Sequence, residues 1–190
     1  MWNSIELPIG FHGLPEKPYE LLWELSKRNV RFVVIGGYAV RFHVNSTQRP
    51  VNDLDLAMDY QDLDSAAGIA DALASICPID QEKVQSGLRM PNKELPVGGC
   101  DIVTSIDPAH SIDPAHAISF DSVYARSTTF PMGYHGVPEL GVDGCVNQIH
   151  VIGKEDLLKL KAQSASDTGR PVAKRNRDQL DLIVLQGGQP

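Results

Sequence analysis

The run Phe32-Val33-Val34-Ile35 is short, continuous and apolar, and the glycine pair Gly36-Gly37 ends it. Such a run reads as a strand buried on both faces near the middle of a sheet, so other elements must cover it on either side. Downstream, Asp53-Leu54-Asp55-Leu56 alternates acid and leucine. On a strand, Leu54 and Leu56 then turn inward while Asp53 and Asp55 share the opposite face. Two carboxylates side by side suit a hard divalent cation such as magnesium, which takes oxygen ligands. A glycine pair after a buried strand lets backbone approach a phosphate closely. Together these features form a nucleotide-handling constellation.

The chain has 190 residues, 42% hydrophobic and 22% charged, the proportions of an ordinary soluble globular protein large enough to bury one core. No apolar run approaches the roughly 18–20 residues that span a bilayer, and Met1-Trp2-Asn3-Ser4-Ile5-Glu6 carries no basic-then-apolar leader. A cytoplasmic protein with no membrane partner is expected. A net charge of −7 argues against nonspecific coating of nucleic acid. The charge is uneven, because residues 150–190 hold 7 basic and 5 acidic side chains. That stretch is either a solvated helical surface or a basic wall facing a triphosphate or RNA. Cys77, Cys100 and Cys145 have no zinc or redox spacing and are expected to be free thiols.

Residues 1–17 read as an N-terminal arm, 18–152 as the main domain and 153–190 as a helical pair packed on it. Apolar Tyr19, Leu21, Leu22, Trp23 and Leu25 recur with helical spacing between Lys17 and Asn29. A short helix is expected from Tyr38 to Val44 and a strand from Asp53 to Met58. Asp59 reads as the N-cap of a helix running to about Ile76. Residues 78–99 read as a hairpin-like connection and Cys100–Ile106 as a third strand. Ser-Ile-Asp-Pro-Ala-His occurs twice in succession at 105–116, which suggests a tandem duplication in a surface loop. Residues 117–146 read as loop. Gln148–Ile152 reads as the last strand, followed by helices from Lys154 to about Ser166 and from Val172 to about Gln186, closed by Gly187-Gly188. The layout is α+β.

A lone Asp-x-Asp is weak evidence of a site. Asp101 strengthens it, since it opens a separate strand. If that strand lies beside 53–58, three acids can hold one or two magnesium ions and orient an attacking hydroxyl.

In order along the chain, Gly36-Gly37-x-Ala39, Arg49, Asp53-x-Asp55 and Asp101 resemble the polymerase-beta-like nucleotidyltransferase superfamily. Glu155-Asp156-Leu157-Leu158-x-Leu160-Lys161 and Arg177-Asp178-x-x-Asp181-Leu182 are similar to the closing helices of its minimal and small bacterial toxin-type (abortive-infection-like) members. The resemblance covers about residues 18–186. Two details depart from the usual pattern. Fifteen residues, 38–52, separate Gly37 from Asp53, and Val51 stands where threonine is common.

The resemblance implies a mixed sheet of about four or five strands flanked by helices. It implies magnesium-dependent transfer of a nucleoside monophosphate from a nucleoside triphosphate (NTP) to an acceptor, with release of pyrophosphate. Gly36 and Gly37 would contact the triphosphate through backbone amides, and Asp53 and Asp55 would bind magnesium. Asp101 would complete the metal site and activate the acceptor. Lys161 would reach a phosphate or base, with Asp178 orienting it or capping the helix pair. The acceptor stays open among RNA, protein and a small molecule such as an aminoglycoside or lincosamide antibiotic, as does a partner protein in a toxin–antitoxin pair. Two other readings stand beside this one: a fold without turnover that acts as a binding module, and a metal-dependent hydrolase.

Other candidates carry two readings each. Arg49 either clamps a phosphate or pairs with Asp53. Tyr38 either covers a base or packs in the core. His43 and His135 read as surface or half-buried polar residues, and His110 and His116 as products of the duplication.

Overall fold

The computed structural model describes residues 7–91, 93–97, 99–104, 106, 119–134, 137–138 and 147–188. It is a mixed α+β fold with the helical pair at its C-terminal end. Helix α1 (Glu16–Lys27) leads into β1 (Val33–Val34), α2 (Gly36–Val44), β2 (Leu54–Ala57), α3 (Leu63–Ile76) and α4 (Gln81–Leu88). There follow β3 (Glu94–Val97), β4 (Cys100–Val103), α5 (Phe120–Ala125), β5 (Thr128–Pro131), β6 (Gly133–Tyr134) and β7 (Val137–Pro138). The chain finishes with β8 (Gln148–Val151), α6 (Lys154–Ser166) and α7 (Val172–Leu185).

Six strands form one sheet in the order β3-β4-β2-β1-β8-β5, while β6 and β7 make a separate ribbon. β1 sits at the middle, antiparallel to β2 and parallel to β8. Val33 and Val34 are fully buried there, as the apolar run requires. β2 and β4 are parallel, with Leu54 opposite Cys100 and Asp55 opposite Asp101. Leu54, Leu56, Cys100 and Ile102 are buried, and the aspartates alternate with them on the other face.

α1 and α3 pack on each other, α2 leans on β2, and α6 with α7 forms the tightest helix pair and rests on α2. α7 ends in a Schellman motif: Gly187 adopts φ +88°, its N–H donates to Val184 O at 3.0 Å, and Gly188 N–H donates to Ile183 O at 2.9 Å. No helix among the described residues is long and apolar enough to cross a membrane.

Several local readings need correction. α2 begins at Gly36 itself, not at Tyr38. The N-cap of α3 is Asp62, whose carboxylate accepts from Ser65 N–H at 2.9 Å; Asp59 caps only the preceding turn, accepting from Gln61 N–H at 2.9 Å. The 78–99 segment contains α4, capped by Asp80, as well as the hairpin of β3 with β4. The 117–146 segment contains α5 and the edge strand β5, whose Pro131 is tolerated because an edge needs no inward N–H there. The stretch before α1 is anchored in the core, where fully buried Phe11 packs on Tyr38, Phe42 and Phe130. Cys77 and Cys100 are free thiols. The duplicated hexapeptide with His110 and His116 (Ile106 apart), His135 and Cys145 lie outside the described residues.

Candidate active site

The site is built on three neighbouring elements: the N-terminal turn of α2, the start of β2 and the start of β4. Gly36 is where the backbone leaves β1 and turns into α2, at φ +62°. Only glycine adopts that angle without strain. The turn is also crowded, since a Cβ on Gly36 would fall 1.7 Å from Asp55 Oδ2. Asp55 is tied to the turn twice. Its main-chain carbonyl accepts from Ile35 N–H at 2.9 Å, and its carboxylate accepts from Gly37 N–H at 3.4 Å. The N-cap residue, Ile35, supplies no side-chain acceptor, so the other first-turn amides of α2 have no side-chain cap.

Parallel register places Asp55 beside Asp101 on one face, and Asp53 joins them. Burial, then the charge of Asp53, lifts the Asp55 carboxyl to about 6, with Asp101 adding to the effect and Lys161 opposing it. Asp101 is also raised, first by burial and then by Asp53, with which it shares a side-chain hydrogen bond; Lys174 opposes the rise. Among the described residues no group of three or more His, Cys, Asp or Glu side chains is placed so that it could hold a metal ion. Asp53, Asp55 and Asp101 lie close enough at the start of β2 and β4 that burial and the charge of Asp53 raise both Asp55 and Asp101.

Two cations stand near these groups, Arg49 from the link between α2 and β2 and Lys161 from α6. Lys161 is 9% exposed, and its Nζ donates to Asp178 Oδ1 at 2.6 Å and lies 2.7 Å from Asp181 Oδ2. The contact with Asp178 was anticipated; Asp181 was missed as a second anchor. Arg49 pairs with Asp181 rather than with Asp53. Its Nε and one terminal nitrogen donate to Asp181 at 2.5 and 2.9 Å, a bidentate pair across 132 positions of sequence. Its other terminal nitrogen lies over the glycine turn, where a Cβ on Gly37 would meet it at 2.4 Å and both Val51 methyls at 2.9 Å. Val51 therefore packs on the turn that follows β1, and the long 38–52 link brings Arg49 back over the same turn.

Tyr38 is 2% exposed and stacks on Phe11 at 5.6 Å, so it packs in the core. His43 is half-buried, with Nε2 2.7 Å from Ile152 O, and burial lowers its pKa. The basic C-terminal stretch divides. Lys161 is buried at the site, Lys174 is exposed and near enough to act on Asp101, and Lys159 instead pairs with Asp156. No sequence signal marked Asp181 beyond its place in the Asp178-x-x-Asp181 repeat. On α7 that spacing puts both carboxylates on the side that meets α6.

Comparison with family models finds no match, and comparison with curated proteins finds none. A solved structure similar to this chain is the solution structure of the antibiotic-resistance factor ANT(2'')-Ia, at 14% identity and a TM-score of 0.44, covering 90% of this chain and 87% of that one. A likeness this distant carries none of the functional argument. What the residues themselves assemble is a glycine turn at a helix N-terminus, three aspartates beside it, Arg49 over the turn and Lys161 near enough to act on Asp55.

Proposed function

We propose that this chain is a magnesium-dependent nucleotidyltransferase, moving a nucleoside monophosphate from an NTP to an RNA, protein or small-molecule acceptor. The observation that carries the reading is the parallel register of Asp55 with Asp101, one strand away from the Gly36 turn. Asp53, Asp55 and Asp101 would hold the metal, which supplies charge neutralisation along the phosphates when bound. The first turn of α2, where Asp55 accepts only from Gly37 N–H, offers its other N–H groups and the positive end of a helix to a phosphate chain. Arg49 and Lys161 stand as cations beside that turn. Asp101, raised first by burial and then by Asp53, would accept a proton from an acceptor hydroxyl. Such transfer relies on positioning and electrostatics more than on covalent chemistry, so this small set of residues suffices. Service in a toxin–antitoxin pair belongs to the same proposal, with a partner protein gating the acceptor.

The test is label transfer. The chain is incubated with magnesium and each α-labelled NTP in a total cell lysate, beside Asp53→Ala. Label on one class of molecule, lost in the variant, supports the reading; equal labelling by both refutes it.

A second reading, a binding module without turnover, is favoured by one observation. The cations already have internal partners, because Arg49 and Lys161 are neutralised by Asp181 and Asp178. NTP binding with no labelled product would decide for it.

A further inference from the structure

Two aspartates of α7, Asp178 and Asp181, are 5% and 3% exposed, and both face cations. Asp181 alone touches two of them, Arg49 through a two-point contact and Lys161 at 2.7 Å. Asp178 takes Lys161 at 2.6 Å and leaves its second oxygen without a hydrogen-bond partner, with Arg170 3.6 Å away. Burying such a group costs desolvation, and apolar residues of similar volume hold helices together as well or better. The arrangement therefore needs a reason beyond stability.

Its geometry supplies one. Arg49 spends Nε and one terminal nitrogen on Asp181, which fixes the plane of the guanidinium. The remaining terminal nitrogen donates to Pro50 O at 3.3 Å and stands over Gly37 on the first turn of α2. Lys161, held by the same Asp181, is the cation that acts on Asp55. One carboxylate from α7 thus sets two cations, one above the glycine turn and one beside the carboxylates.

We propose that Asp181 is a positioning residue for a polyphosphate, acting through Arg49. It touches no substrate itself. It holds Arg49 aimed at the phosphate that α2 would receive, and it ties the C-terminal helix pair to that turn. The inference rests on the nucleotide reading above and adds a residue and a role to it.

The experiment measures the dissociation constant of inorganic tripolyphosphate and of each NTP by calorimetry in magnesium buffer. It compares the wild type, Asp181→Asn, Arg49→Ala and the double variant, each checked for folding by circular dichroism. Asp181→Asn is expected to weaken tripolyphosphate by about tenfold or more, the size of one charge-assisted hydrogen bond, and the NTPs in the same proportion. On the Arg49→Ala background the same change is expected to cost less than about threefold, because the residue it positions is already gone. A purely structural Asp181 would give equal losses on both backgrounds. Should Asp181→Asn fail to fold, Arg49→Lys keeps the charge and loses the fork, and it is expected to weaken binding while staying folded. Wild-type affinity in Asp181→Asn, or in Arg49→Lys, overturns the inference and leaves the nucleotide reading standing. A wild-type chain that binds neither NTP nor tripolyphosphate overturns both.

Discussion

Asp55→Asn is expected to stabilise the metal-free protein while removing its activity. The wild-type carboxyl is buried beside Asp53 and Asp101 and titrates at about 6 rather than at 3.8. Its folded-state pKa is raised, so the folded form holds the proton more tightly than the unfolded chain does. Below pH 4 both states are protonated and the group costs nothing. Between pH 4 and 6 the folded state pays progressively for ionising it, and above pH 6 the full penalty applies, about 3 kcal/mol. Asparagine keeps the shape and can still accept from Gly37 N–H, but it carries no charge. The assay is urea denaturation in EDTA from pH 4.5 to 8.5. The variant should gain on the wild type as pH rises, reaching about 3 kcal/mol, or roughly 6–12 °C in melting temperature for a chain of this size. The difference between the two proteins is the quantity to read, because other groups titrate as well. Burial pushes Asp181 up, but Arg49 and Lys161 outweigh it and hold it below its ordinary value, so its stabilisation is lost as pH falls. Magnesium should then raise the wild type, by about 2.7 kcal/mol at a hundred times its dissociation constant, and leave the variant nearly unmoved. A pH-independent difference, or a variant less stable than the wild type at pH 8, refutes the argument that the carboxylates repel one another in the empty site.

Two further substitutions check the local architecture. Gly36→Ala imposes a side chain at φ +62° and drives a methyl into Asp55 Oδ2, so a loss of about 2–4 kcal/mol is expected in urea denaturation, together with loss of NTP binding. Asp62→Ala should cost about 1 kcal/mol as the true cap of α3, whereas Asp59→Ala should cost a few tenths; equal losses would contradict the cap geometry.

What could be read in advance follows from the range over which each signal acts. The buried strand at Phe32–Ile35 and the Leu54/Leu56 alternation are local patterns, and both strands appear where the pattern places them. The C-terminal helices were equally legible from apolar spacing and from the Gly187-Gly188 stop. The pairing of β2 with β4 was conditional in the sequence, since register between strands separated by a helix and a hairpin is set by packing. Helix α4 escaped notice because it spans only Gln81–Leu88 and buries a single residue, Leu88, leaving little periodicity to detect. Strand β5 escaped because Thr128-Thr129-Phe130-Pro131 ends in a residue that argues against a strand anywhere but at an edge.

The ion network was illegible for a different reason. Arg49 and Asp181 gain meaning only together, and they stand at opposite ends of the fold in sequence. Arg49 invites a local partner such as Asp53, four positions away, whereas its partner Asp181 lies 132 positions on. The physical preference runs the other way: Asp53 is exposed and already crowded by Asp101, whereas Asp181 is buried and would be an uncompensated charge without a guanidinium. An exposed carboxylate can be satisfied by water or a metal, but a buried one must be met by the protein. That asymmetry assigns the two sets of acids different work. The sheet's aspartates are left short of positive charge, and α7's aspartates are met by Arg49 and Lys161, with one oxygen of Asp178 left without a hydrogen bond. The C-terminal helix α7 therefore supplies the carboxylates that pair with Arg49 and Lys161.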